Sequence, residues 1–261
     1  MFDPERGAVT AELFGRLGPA FADVADGIVF AVGPGPGGSS RLVRLDPQSG
    51  AGADGEVGET PVDVVYGDGF VWVSSSAPGG PVDEYAVTKY DAQTLERIGS
   101  IPVPSFAHLD FGHGRLWVAS EGGLVRVDPR TEERSELAGA GALTDVSVGA
   151  GAVWAFERPE GRSRDGHLLR VDPERGEVVE RVGVRGYFAR VEADARNGVW
   201  VLASRTEQLK HLFRFDPVSG DRMDAPLKLG AGVMVMESGR GSLWIVDDAE
   251  GTLARIDVGG G

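Results

Sequence analysis

Apolar and polar residues alternate in short runs along this chain. Val62-Asp63-Val64-Val65-Tyr66, Ala107-His108-Leu109-Asp110-Phe111 and Thr144-Asp145-Val146-Ser147-Val148 follow a period of two, the spacing of strands with one buried face. Each run leads into a Gly-x-Gly triplet: Gly67-Asp68-Gly69, Gly112-His113-Gly114 and Gly149-Ala150-Gly151. Glycine accepts the positive φ that tight hairpin turns demand. A second strand then ends in an aromatic residue, and a variable loop leads to a third. Asp46-Pro47-Gln48-Ser49-Gly50, Asp172-Pro173-Glu174-Arg175-Gly176 and Asp216-Pro217-Val218-Ser219-Gly220 mark the next turn, where Asp caps, Pro sets φ and Gly provides the exit. A fourth strand such as Val178-Val179-Glu180-Arg181-Val182 completes the unit.

This sentence of strands and turns recurs six times. Phe30, Trp72, Trp117, Trp154, Trp200 and Trp244 hold one repeat position, with steps of 42, 45, 37, 46 and 44 residues. A second landmark follows each: Arg44-Leu45-Asp46, Lys89-Tyr90-Asp91, Arg126-Val127-Asp128, Arg170-Val171-Asp172, Arg214-Phe215-Asp216 and Arg255-Ile256-Asp257. Four-stranded units of about 40–50 residues are propeller blades. The expected fold is all-β: a six-bladed β-propeller of four-stranded antiparallel blades in a single domain, residues 1–261, with inner strands starting near 20, 62, 107, 144, 189 and 233. Phe2-Asp3-Pro4-Glu5-Arg6-Gly7-Ala8-Val9 repeats Val171-Asp172-Pro173-Glu174-Arg175-Gly176-Glu177-Val178. Residues 1–14 are therefore expected to carry the outer strand of the last blade, at about 8–14, and to close the ring, which removes a sheet edge.

Composition narrows the function. The net charge of −14 argues against a phosphate-backbone partner, DNA or RNA, which needs clustered Lys and Arg. No cysteine is present, so disulfides, thiolate metal sites and Cys nucleophiles are excluded. No apolar run approaches the roughly 20 residues of a membrane helix. The first residues lack the features of a signal peptide; a cytoplasmic protein is expected, or an extracytoplasmic one if this is a piece of a longer chain. A monomer is expected.

The pattern Gly-x-Gly, apolar residue, Trp-Val, then Leu-x-Arg-Val-Asp-Pro-x-Thr/Ser-Gly-x-Val resembles the propellers of the streptogramin lyase (virginiamycin B lyase-like) and related YVTN/NHL-type bacterial families, over essentially the whole chain. That resemblance implies the propeller fold. In the lyase, a Pro-His dipeptide opens certain inner strands and a Trp-Phe-Thr-Glu motif ends the next; these His and Glu residues work with magnesium. The His places here read Ala20, Val62, Ala107, Thr144, Ala189 or Arg190, and Met234, with His108 one residue away. The Glu places read Gly33, Ser75, Ser120, Glu157, Ala203 and Asp247. Two acids are present without their His partners.

Loops into the first strand and between the second and third strands rim one face of a propeller, the default binding face. The second-to-third loops vary most here: Ser74 to Tyr85, Phe156 to His167 and Leu202 to Lys210. The candidate ligand-binding residues are Glu157, Arg190, Arg205, Asp247, Asp248 and His108. Arg190, with Arg205 in the same unit, suits an anionic ligand, or an ion pair with Asp145 of the neighbouring unit or with Glu192. Asp247-Asp248 with Glu250, and Asp83-Glu84, offer oxygens to a hard cation, without a defined calcium-loop spacing. His108 is the one His expected on an inner strand. The Arg-x-Asp pairs occur in every unit, which indicates a blade-to-blade or turn-holding contact. No catalytic residue, resident metal or cofactor is assigned. The expected function is a non-catalytic binding module whose charged loop face meets a protein or small-molecule ligand. The alternative is a lyase- or hydrolase-like enzyme assisted by a divalent cation, with Glu157, Asp247, Asp248 and His108 around the channel mouth.

Overall fold

A computed structural model describes residues 2–3, 8–9, 21–35, 39–76, 84–159, 161, 163–194, 198–206, 209–239, 242–247 and 249–257. Among these residues every regular element is a strand, and no helix is long and apolar enough to cross a membrane. After the short pair β1 (Phe2–Asp3) and β2 (Ala8–Val9), six antiparallel sheets follow in chain order. The first contains β3 (Phe21–Ala25), β4 (Ile28–Pro34), β5 (Ser40–Leu45) and β6 (Gly52–Glu56). The second contains β7 (Asp63–Gly67), β8 (Phe70–Ser76), β9 (Tyr85–Asp91) and β10 (Arg97–Val103). The third contains β11 (His108–Gly112), β12 (Arg115–Ser120), β13 (Gly123–Val127) and β14 (Arg134–Glu136). The fourth contains β15 (Leu143–Gly149), β16 (Ala152–Glu157), β17 (Asp165–Asp172) and β18 (Glu177–Arg185). The fifth contains β19 (Phe188–Asp194), β20 (Gly198–Thr206), β21 (Leu209–Phe215) and β22 (Leu227–Leu229). The sixth shows β23 (Val233–Gly239), β24 (Ser242–Asp247) and β25 (Thr252–Asp257) among the described residues. The fold is a six-bladed β-propeller. Of the segment expected to supply an outer strand to the last blade, only Ala8–Val9 is described, and it pairs with Phe2–Asp3; residues 10–14 lie outside the described residues.

The chain divides into two compact units, residues 1–114 with 129–131, and 115–128 with 132–261. In the first unit Phe30, Val32 and Leu42 of the first blade bury against Val64, Val71 and Val73 of the second. In the second unit the rule repeats. Trp117 packs with Val146, Val153 and Leu169 of the fourth blade. Trp154 packs with Val191, Val201 and Phe213 of the fifth, and Trp200 with Met236 and Ile245 of the sixth. Phe30, Trp117, Trp154 and Trp200 thus face the following sheet, where their large apolar area leaves water.

The two sequence landmarks turn out to be cross-strand partners. Phe30 lies opposite Arg44, Trp72 opposite Lys89, Trp117 opposite Arg126, Trp154 opposite Arg170, Trp200 opposite Arg214 and Trp244 opposite Arg255. The cation lies over the ring of its partner at 5.9 Å for Arg170, 5.2 Å for Arg214 and 5.5 Å for Arg255, a cation–π contact. Lys89 sits 3.9 Å from the Phe70 ring centre and 5.3 Å from Trp72. Several of these cations then reach the Asp-Pro turn of the next blade. In the first unit Lys89 Nζ donates to Pro129 O at 2.7 Å. In the second, Arg126 Nη1 donates to Pro173 O at 3.1 Å and Glu174 O at 3.0 Å, and Arg170 Nη1 to Val218 O at 3.5 Å.

Four of the landmark Asp residues have a separate task. Asp46 Oδ1 accepts from Gln48 N and Ser49 N, Asp91 Oδ1 from Gln93 N and Thr94 N, Asp172 Oδ1 from Glu174 N and Arg175 N, and Asp216 Oδ1 from Val218 N and Ser219 N. These are turns closed by the Asp side chain on its own backbone. The two glycines of a Gly-x-Gly triplet also differ. A Cβ at Gly149 would overlap Ala193 O of the next blade, whereas Gly151 has open space but φ +79°. One glycine admits a neighbour and the other permits the turn. Ala150 between them is itself held at φ 51°.

Candidate functional site

One end of the fourth blade departs from the repeat. Counting three residues along β16 from the buried Trp154 reaches Glu157, and three back along β17 from Arg170 reaches His167; the register places Glu157 and His167 directly opposite. Arg181 on β18 comes alongside because the β17–β18 register shifts by a bulge between Arg170 and Val171. The connection from β14 into β15 carries Gly139 and Gly141. Together these residues, with Arg158, line a groove of about 590 Å³.

Glu157 organises the groove. Its side chain is only 12% exposed, so its charge requires partners. Oε1 accepts from Gly141 N at 2.8 Å and from Arg181 Nη2 at 3.0 Å. Oε2 lies 3.4 Å from His167 Nδ1. Arg181 Nη2 also donates to Gly139 O at 2.6 Å, which ties the β14–β15 connection to the outer strand. A Cβ at Gly141 would stand 3.2 Å from Glu157 Oε1, and one at Gly166 only 2.5 Å from Glu157 O. Gly141 thus lets the backbone approach the carboxylate, and Gly166 lets it approach the main-chain carbonyl of Glu157. His167 and Arg181, in contrast, are 43% and 44% exposed. Arg158 pairs with Glu121 at 3.1 Å, and its backbone N donates to Ala142 O at 2.8 Å, fixing the start of the β16–β17 connection. Ser163 and Asp165 close that connection through a mutual pair of hydrogen bonds, each 3.2 Å long.

The remaining sequence candidates among the described residues have other surroundings, and none of these lines this groove. Arg190 Nη1 lies 3.4 Å from Asp145 Oδ1, the neighbouring-unit pair considered from the sequence. Asp145 Oδ2 accepts from Val191 N at 2.8 Å as well. Arg205 is exposed near the end of β20. Burial first, then the charges of Arg205 and Lys228, hold the His211 imidazole below its ordinary pKa. Asp247 Oδ1 accepts from Ala249 N at 3.1 Å and Glu250 N at 3.2 Å, a turn-forming role like that of Asp46. Asp248 and Asp83 lie outside the described residues. His108 Nδ1 stands 3.4 Å from Asp63 Oδ2. Among the described residues no group of three His, Asp or Glu side chains is placed to hold a metal ion.

Inner-strand acids serve as latches between consecutive blades. In the first unit Asp23 Oδ2 accepts from Tyr66 N at 2.7 Å and Asp63 Oδ2 from Leu109 N at 2.9 Å. In the second, Glu192 Oε1 accepts from Ser238 N at 3.1 Å and Ser238 Oγ at 2.6 Å. Burial raises the Glu192 carboxyl pKa more than the Ser238 hydrogen bonds lower it, and the charges of Asp145 and Asp194 add to the rise. Asp23 is likewise raised, chiefly by burial. Perturbed acids of this kind attract attention as catalytic candidates, but each here is spent on an inter-blade backbone contact.

No protein-family model matches this chain, and no curated protein matches it. Solved structures do. The hydrazine synthase of Kuenenia stuttgartiensis aligns with a TM-score of 0.71 at 13% identity, over 94% of this chain and 78% of that one. The β-propeller domain of Cps50 (Swd1) from Myceliophteria thermophila aligns with a TM-score of 0.59 at 12% identity, over 93% and 87%. The dihydro-heme d1 dehydrogenase NirN, in complex with DHE, aligns with a TM-score of 0.63 at 14% identity, over 94% and 55%. At these identities the likeness shows the fold alone. The chain is thus defined as a β-propeller, a class that includes both enzymes and non-catalytic modules and whose fold does not fix activity.

Proposed function

We propose that this chain is a non-catalytic binding module, and that the Glu157 groove of the fourth blade receives a small-molecule ligand. The observation that carries this reading is the groove itself: about 590 Å³, in the size range of ligand sites, with exposed His167 and Arg181 fixed by one buried carboxylate. Side chains held in place before a ligand arrives lose little freedom on binding. Neither a partner protein nor a cofactor is needed for this reading, and the module acts as a monomer.

Gly183 provides the test. It lies directly opposite His167 in the β17–β18 register, and a Cβ there would meet nothing within 4 Å. Gly183→Leu therefore places bulk beside His167 without disturbing the core. A small-molecule screen by ligand-observed NMR on the intact protein is expected to yield binders that Gly183→Leu loses, with the melting temperature kept. Binders that survive the substitution would move the site away from the groove.

A second reading, a lyase-like enzyme of the streptogramin lyase type, is favoured by one observation: Glu157 occupies a Glu place of that family and faces an imidazole. It requires turnover of an ester or lactone that EDTA abolishes and Glu157→Gln lowers. Absence of turnover with added magnesium counts against it.

A further inference from the structure

We propose that the Glu157 groove is an oxyanion site, taking a carboxylate or phosphate group of a small ligand between the imidazole of His167 and the guanidinium of Arg181. The proposal rests on the binding-module reading above and specifies its ligand. It follows from counting what the groove has left to offer. Glu157 Oε1 accepts from Gly141 N and Arg181, and Oε2 faces His167 Nδ1 at 3.4 Å, so the most buried acid of the groove is turned to its own neighbours. Arg181 commits one nitrogen, Nη2, to Gly139 O and Glu157 Oε1. A guanidinium carries five N–H donors in a planar fork, and the Nη1 and Nε hydrogens of Arg181 have no recorded partner among the described residues. His167 turns Nδ1 to Glu157, which places Nε2 on the far side of the ring, on an exposed edge of the groove. A planar fork beside an imidazolium matches a carboxylate or phosphate.

Among the described residues, β16 contributes Glu157, and the β16–β17 connection contributes Arg158 and Arg164. β17 contributes Asp165, Arg170 and Asp172. β18 contributes Glu177, Glu180, Arg181 and Arg185. The β14–β15 connection, residues 137–142, contributes no charge. Arginines and acids balance on these elements, and Arg158 is paired to Glu121. The preference for an anion therefore comes from the uncommitted donors of Arg181 and His167 and not from an excess of positive charge.

The measurement is NMR of isotope-labelled histidine in the intact protein, with the His167 signal identified by its loss in His167→Gln. Three probes are titrated at one pH: inorganic phosphate, succinate and the dication of 1,4-diaminobutane. Saturable shifts of His167 by phosphate or succinate are expected. Arg181→Met and Gly183→Leu should each remove them. Whichever anion binds more tightly identifies the group that the ligand carries. Saturation by the diamine alone would overturn the oxyanion proposal and leave the groove a binding site. Anion shifts that persist in both variants would also overturn it. Silence from all three probes would remove the groove as a small-ligand site altogether.

Discussion

The two ends of strand β16 obey different rules. At Trp154 the chain repeats itself: an aromatic residue holds this position in all six blades, and a cation stands opposite it each time. Three residues further on, at Glu157, it does not. The corresponding residues are Gly33, Ser75, Ser120, Ala203 and Asp247, and those opposite them are Arg41, Ala86, Gly123, His211 and Thr252. Contacts that recur blade after blade are scaffold, because every blade must bury the same face and close the same turn. A contact made once serves no repeated structural need. The same contrast separates the Asp turns, which recur with one hydrogen-bond pattern, from the Glu157–His167–Arg181 cluster, which occurs in one blade among the described residues.

That contrast is sharpest where the core is cut. Trp154 is fully buried, and Trp154→Ala should lower unfolding free energy by about 3–5 kcal/mol, read from chemical denaturation. The turn-reaching cation comes next. Arg126→Ala removes donors to Pro173 O and Glu174 O and should cost about 1–2 kcal/mol, since part of the contact is solvated. Glu157→Gln keeps the side-chain shape and an acceptor for Gly141 N. It should cost only about 1 kcal/mol while releasing His167, visible as a shifted histidine NMR signal. A loss from Glu157→Gln as large as that from Trp154→Ala would erase the distinction between scaffold and groove.

Acid titration probes the comparison through charge. Hydrogen bonds from the turn backbone and side chains hold the carboxyls of Asp46, Asp91, Asp172 and Asp216 below the usual range. A depressed folded pKa gives stability that is present above the unfolded value and lost as pH falls through the folded one. Glu192 and Asp23 shift the other way, so the folded state binds their protons more tightly and stability rises as pH falls toward their unfolded values. Denaturation midpoints should therefore climb from neutral pH toward about pH 4–5 and fall at lower pH. Glu192→Gln should flatten the climbing limb. A midpoint that only falls on acidification would contradict the raised pair. The smallest effect belongs to Ala150, a Cβ-bearing residue at φ 51°: Ala150→Gly should stabilise by up to about 1 kcal/mol, measured as a higher denaturation midpoint.

Much of the scaffold can be read directly from residues. The repeat of Phe30 and the five Trp residues marks the second strand of each blade, and the Arg-x-Asp landmarks mark the third. Aligning Trp154 with Arg170 would also have placed Glu157 opposite His167 by counting three residues from each. Arg181 could not be counted, because the bulge at Arg170 and Val171 changes which residues of β18 come alongside. Nor could the sequence show that Arg190 meets Asp145, that Asp247 turns back on its own backbone, or that His108 stands beside Asp63.

The amino-acid sequence by itself determined the blades. Period-two alternation, glycine turns and a fixed spacing of aromatic and cation are local rules, satisfied within about 45 residues at a time. Tertiary structure alone decided the groove. Glu157 is buried with partners for its charge because Gly141 precedes the first strand of the fourth blade, His167 lies on its third and Arg181 on its fourth. These residues converge only once the sheet has formed and its bulge has set the register, and no local pattern encodes that convergence.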